Sequence, residues 1–138
     1  MKKETITICG KEVDMLYCAA AETGYEKLSG KSSEVFIPKR AMRENQPLND
    51  SDGNPIYNAP EATLDDYIKL AVSAIIAAYA KDGKEAPITT EEILYDAGPN
   101  DITTIVATVA RLRSEWYTIP AALQSDDSSE ESVSPKNA

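Results

Sequence analysis

The 138-residue chain has no histidine, one tryptophan, one phenylalanine and two cysteines. Without histidine, Ser/His and Cys/His nucleophile pairs are excluded, and the commonest transition-metal ligand is missing. Basic charge is scarce: 14 Lys and Arg stand against 23 Asp and Glu, a net charge of −9. Such a balance argues against non-specific binding to nucleic acid or to a membrane surface, which needs a basic face. Long apolar runs are also lacking, and nothing approaches the roughly 18 residues of a membrane span. Met1-Lys2-Lys3 leads into alternating Thr and Ile with no signal-peptide apolar core, so a cytoplasmic protein is expected. Cys9 and Cys18 are expected to be free thiols filling small gaps in a core.

What is present is 42% apolar residues, enough for one domain over residues 1–123 with one core. Residues 63–80 organise it. Leu64, Tyr67, Ile68, Ala71, Val72, Ile75, Ile76 and Tyr79 recur at helical spacing as a broad apolar stripe. Thr63 with Asp66 has the form of a capping box, and Gly83 can take the left-handed conformation after the helix.

Residues 4–16 read as a β-hairpin. Ile6 and Ile8 alternate with Thr5 and Thr7, and Cys9-Gly10-Lys11 supplies the turn. Its outer edge has no partner strand in the sequence, which makes it a candidate pairing site. Helix 17–29 follows, with Tyr17, Ala20, Ala21, Tyr25 and Leu28 on one face and Gly30 as its end. Gly24 within it costs about 1 kcal/mol against alanine, which a close backbone contact or a break would explain. Residues 38–62 hold four of the eight prolines and read as a long surface loop, with a short strand at 35–37 or 55–57. Thr89 and Glu92 cap a short helix, 89–97, and Gly98-Pro99 stops it. Asn100 or Asp101 then caps helix 101–118. Residues 124–138, acidic and serine-rich, are expected to be a disordered tail. The expected fold is mainly α with a small N-terminal β-hairpin (α+β), its helices packed around 63–80.

Three signatures fail on inspection. Gly30-Lys31-Ser32 suggests a phosphate-binding loop, but the required earlier glycine is replaced by Tyr25; a helix end with a lysine near its negative pole fits better. Asp50-Ser51-Asp52-Gly53 suggests a calcium loop, but the first and last ligand positions fall on Leu48 and Ala59. An Asx-rich turn fits better. The adjacent carboxylates Asp65-Asp66 and Glu91-Glu92 belong to helix N-termini. No catalytic, metal-binding or cofactor-binding residue is assigned, and enzymatic activity is not expected. The candidate contact residues are Arg113, Trp116 and Tyr117 near a helix end, because Trp, Tyr and Arg dominate binding hot spots. The alternative for Trp116 is a core anchor. Lys39, Arg40 and Arg43, cations of the 38–62 loop in an acidic chain, are the second group.

The order of elements, with Ile6-Thr7-Ile8-Cys9-Gly10-Lys11-Glu12, then Ala21-Glu22-Thr23-Gly24 through Leu28-Ser29-Gly30-Lys31-Ser32, and residues 63–79, resembles the tail assembly chaperones of long-tailed bacteriophages and prophages. The resemblance covers roughly residues 4–120 as pattern rather than through a diagnostic motif. It implies a helical, non-enzymatic protein that binds the tape-measure protein and keeps its apolar helices soluble during tail-tube assembly. Tail-tube subunits and further copies of the chain are additional partners compatible with it. In many members a −1 frameshift makes a longer product, and Lys136-Asn137 is codon-compatible with a slippery heptamer. The 38–62 loop departs from the family picture. A small acidic adaptor using the hairpin edge or that loop is the alternative.

Overall fold

The computed structural model describes residues 3–118; the expected tail at 124–138 lies outside them. Among the described residues the fold is mainly helical α+β, with four α-helices and an N-terminal hairpin. Strands β1 (Glu4–Ile8) and β2 (Lys11–Met15) pair antiparallel with Ile6 opposite Val13 and Ile8 opposite Lys11. Cys9 and Gly10 both take positive φ, 51° and 74°, the conformation of a two-residue type I′ turn. Ile8, Val13 and Met15 point inward and are fully buried.

Helix α1 spans Ala19–Ser29 and ends at Gly30, whose φ of 71° is left-handed. It begins two residues later than the expected 17–29. Leu16 and Tyr17 stay outside the helix, and the Leu16 amide donates to the Ala74 carbonyl (3.0 Å). Gly24 does mark a close contact: a Cβ there would lie 3.3 Å from Ser73 Cβ. The helix is unbroken because Gly24 lets it approach its neighbour.

That neighbour is α2, Leu64–Ala80, with its capping box formed between Thr63 and Asp66. After it the Gly83 amide donates to the Ala80 carbonyl and the Lys84 amide to the Tyr79 carbonyl, the hydrogen-bond pair of a Schellman ending. The buried surface of α2 is wider than the expected stripe. Leu70, Ser73, Ala74, Ala77 and Ala78 are buried, whereas Leu64 and Ile76 are about half exposed. The reason is tertiary: α1, β2 and the last helix all pack on α2, so it is covered on most sides.

Residues 33–36 form a 3-10 turn, not a strand, initiated by the Ser32 hydroxyl accepting from the Glu34 amide. Residues 38–62 are more ordered than a loop. Strand β3 (Lys39–Arg40) pairs with β6 (Tyr57–Asn58), and β4 (Met42–Arg43) with β5 (Gln46–Pro47). The arm's base is closed by the Ala62 amide donating to the Val35 carbonyl (2.9 Å). The Asx turn is present: Asp50 Oδ1 accepts from the amides of Asp52 and Asn54, both at 2.9 Å.

Helix α3 (Thr90–Asp96) has the Thr89–Glu92 capping box. Helix α4 is Pro99–Thr118, starting earlier than the expected residue 101. Pro99 is compatible with a first helical turn, where its missing N–H is no loss. Asp101 accepts from the Gly98 amide (3.1 Å). Ile105 and Val109 enter the core fully, and Ile102, Leu112 and Trp116 pack against it. Cys9 and Cys18 are free and half-buried. No helix of the described residues is long and apolar enough to cross a membrane.

Candidate functional site

The last turns of α4 and the 3-10 turn face each other across an open groove of about 400 Å³. Phe36 and Tyr67 contribute aromatic wall, and Ala110 and Ser114 keep the α4 side shallow. Ile37, 44% exposed, and Tyr117, 51% exposed, stand at its margins. Pro38, the first residue of the arm, also lines it.

Arg113 is in this groove, and it is not the exposed cation expected near the helix end. Its side chain is buried, with the guanidinium carbon 5.4 Å from the Phe36 ring centroid and 4.5 Å from that of Tyr117. Nε donates to Glu22 Oε2 at 3.0 Å, and Nη2 reaches the Ser33 carbonyl and the Tyr117 hydroxyl, both at 3.4 Å. The Tyr117 hydroxyl in turn donates to Glu22 Oε1 (2.8 Å), and the Tyr17 hydroxyl donates to Oε2. Burial tends to raise the Glu22 carboxyl, but the Tyr17 and Tyr117 hydroxyls and the Arg113 charge outweigh it and hold its pKa below the usual value. Burial and the Glu22 hydrogen bond push the Tyr17 phenol up. The charges cancel within the cluster, so a ligand of this groove meets an apolar wall and a neutralised floor.

Trp116 is half-buried. It packs on the core and meets the Tyr17 ring edge-on at 5.7 Å and the Tyr117 ring at 4.9 Å. The core-anchor alternative describes it well, and its Tyr117 contact steadies the groove wall. Tyr117 is the one of the three candidates on α4 that is exposed.

None of the three arm cations lines the groove. Lys39 pairs with Glu61 at 3.6 Å, both exposed. Arg40 is a structural clamp: its Nη2 donates to Asn49 Oδ1 (2.6 Å) and approaches the Leu48 carbonyl (3.4 Å). Arg43 is exposed beside the Glu44-Asn45 turn, where both residues have positive φ.

A second polar cluster lies at the head of α2. Asp66 is buried and accepts from the Thr63 amide (2.9 Å) and hydroxyl (3.1 Å), the Tyr25 hydroxyl (3.0 Å) and Lys31 Nζ (3.1 Å). Burial opposes ionisation, but these donors overcome it and bring the pKa to about 2. Lys31 therefore does more than face a helix end; it crosses to α2. Among the described residues no cluster of three or more Cys, Asp or Glu side chains is arranged to hold a metal.

Glu22, Phe36 and Tyr67 had no signal in the sequence as site residues. Arg113 and Glu22 are 91 positions apart, and neither belongs to a local motif. Neither a protein-family model, nor a curated protein, nor a solved structure matches the chain.

Proposed function

We propose that the chain is a non-enzymatic tail assembly chaperone of a long-tailed phage or prophage. In this reading it holds an apolar helix face of the tape-measure protein in the host cytoplasm until the tail tube encloses it. The observation that carries the reading is the groove between Phe36, Tyr67 and α4: apolar, open, and with its buried cation, Arg113, already matched by Glu22. Helix-in-groove recognition needs such a surface. The order of elements in the chain supports the same family.

The experiment is co-expression with the tape-measure protein from the same genome, followed by size exclusion. A soluble complex is expected where the tape-measure protein alone aggregates. Ser114→Trp places an indole in the groove from an exposed helix position, and should weaken the complex at least about tenfold without changing melting. A tape-measure protein that stays insoluble, or a complex indifferent to Ser114→Trp, would remove the reading's support.

The adaptor alternative has its own observation. The folded arm exposes Met42 (53%) and Tyr57 (58%). Binding to any partner that needs these residues and not the groove would favour it.

A further inference from the structure

We propose that the outer edge of β1 is a self-association site that takes β1 of a second copy of this chain, forming a four-stranded antiparallel sheet. The two-residue turn makes Ile8–Lys11 a hydrogen-bonded pair, so Ile6–Val13 and Glu4–Met15 are bonded pairs as well. The main-chain groups of Thr5 and Thr7 on one side, and of Glu12 and Asp14 on the other, then point away from the hairpin. The two edges differ in what meets them. On the β2 side the Asp14 amide donates to the Tyr79 hydroxyl (3.2 Å), and the Leu16 amide to the Ala74 carbonyl (3.0 Å). Helix α2 closes that edge from Asp14 onward, while Glu12 near the turn stays exposed. On the β1 side no hydrogen bond among the described residues engages the main chain of Thr5 or Thr7, and both threonines are exposed. The strand has no proline, no bulge and no charge after Glu4, so it lacks the usual devices against edge pairing.

The edge is complementary to itself. A two-fold axis at Ile6 sets Thr5 opposite the partner's Thr7, and these two pairs use all four outward N–H and four outward C=O groups in four hydrogen bonds. The half-buried Ile6 meets the partner's Ile6 on the core side, and threonines pair on the outer side. Glu4 faces the partner's Ile8. The two Glu4 positions lie about 13 Å apart along the sheet, and each Glu4 is already paired with its own Arg111. No like charges oppose one another at the contact. The chain's net charge of −9 acts at longer range, so added salt should strengthen this dimer, whereas it would weaken one built on ion pairs. This surface is separate from the groove and does not depend on the chaperone reading.

The test is analytical ultracentrifugation of the full chain from about 10 μM to about 1 mM at low and high sodium chloride, with amide hydrogen exchange followed by NMR. A monomer–dimer equilibrium favoured by salt is expected. The Thr5 and Thr7 amides should exchange freely when dilute and at least about tenfold more slowly when concentrated, while the Asp14 amide changes little. Thr7→Pro removes an outward donor and no hairpin bond, and should abolish the dimer with helical circular dichroism retained. If that variant unfolds, the exchange result on the unmodified chain decides. A monomer throughout, a dimer with unprotected Thr5 and Thr7 amides, or a dimer that persists in folded Thr7→Pro would overturn the proposal.

Discussion

Asp66 has the position of a helix cap and the connections of a core junction, joining α2 to Tyr25 of α1 and to Lys31. Asp66→Asn keeps the shape but replaces an acceptor with a donor and leaves Lys31 without its partner. A loss of about 2–3 kcal/mol at neutral pH is expected in urea denaturation. The pH dependence has a definite sign. The folded pKa is depressed to about 2, below the roughly 3.9 of an unfolded aspartate. The stabilisation is therefore complete above about pH 5 and is lost as pH falls through about 2. The gap between the original chain and Asp66→Asn should narrow over that window. Arg113→Lys is predicted to lower stability by about 1–2 kcal/mol in the same assay, because an ammonium cannot present a flat face to Phe36 and Tyr117. At this scale the sequence is least legible. The capping role of Asp66 follows from Thr63 three residues earlier, but Lys31 and Asp66 are 35 positions apart. No spacing rule connects them. Arg113 is misplaced on the outside for the same reason, since its partner Glu22 comes from the other end of the chain.

At the scale of elements, local chemistry reads well and mutual contact reads badly. Both capping boxes and the Gly30 and Gly83 endings depend on residues within a turn of one another and are where the sequence puts them. The hairpin is too, with its turn narrowed to Cys9-Gly10 because Lys11 already pairs with Ile8. Helix α3, by contrast, ends at Asp96 on an extended Ala97 rather than on Gly98. The apolar stripe of α2 is legible as a stripe, yet Ile76 belongs to it by spacing and is about half exposed, because no element of the described residues fully covers that side. Ile75→Asp should abolish cooperative melting, since it buries an unpaired charge at a fully enclosed position. Ile76→Asp next to it should shift stability by less than about 1 kcal/mol. Comparable losses in the two would contradict the assigned faces. Gly24 gives a graded case. Alanine there gains about 1 kcal/mol of helix propensity, but its methyl meets Ser73, whose hydroxyl is held by the Lys69 carbonyl (2.9 Å). Gly24→Ala should come out near neutral, and Gly24→Val should lose about 2–3 kcal/mol by thermal melting as α1 is pushed from α2. The arm is the element the sequence hides most. Its strands are two residues long, too short for alternation to show, and its order comes from turns and from the Arg40 clamp.

For the whole molecule, composition and periodicity define a small helical domain with a hairpin, but the groove arises only when the 3-10 turn and α4 are brought together. It could not be read before the elements were placed. Helix α4 also completes the core, supplying Ile105 and Val109, both fully enclosed. A chain cut after residue 98 is expected to show no cooperative thermal transition, as measured by circular dichroism. The pairing of Arg111 on α4 with Glu4 on β1, across 107 positions, has a consequence for synthesis. Strand β1 precedes α4 in the chain and rests against it, so part of the apolar surface of the hairpin and α2 is expected to stay uncovered until α4 has been made. Folding of this domain is therefore expected to close late, with its non-local α4–β1 contact, rather than progressively along the chain.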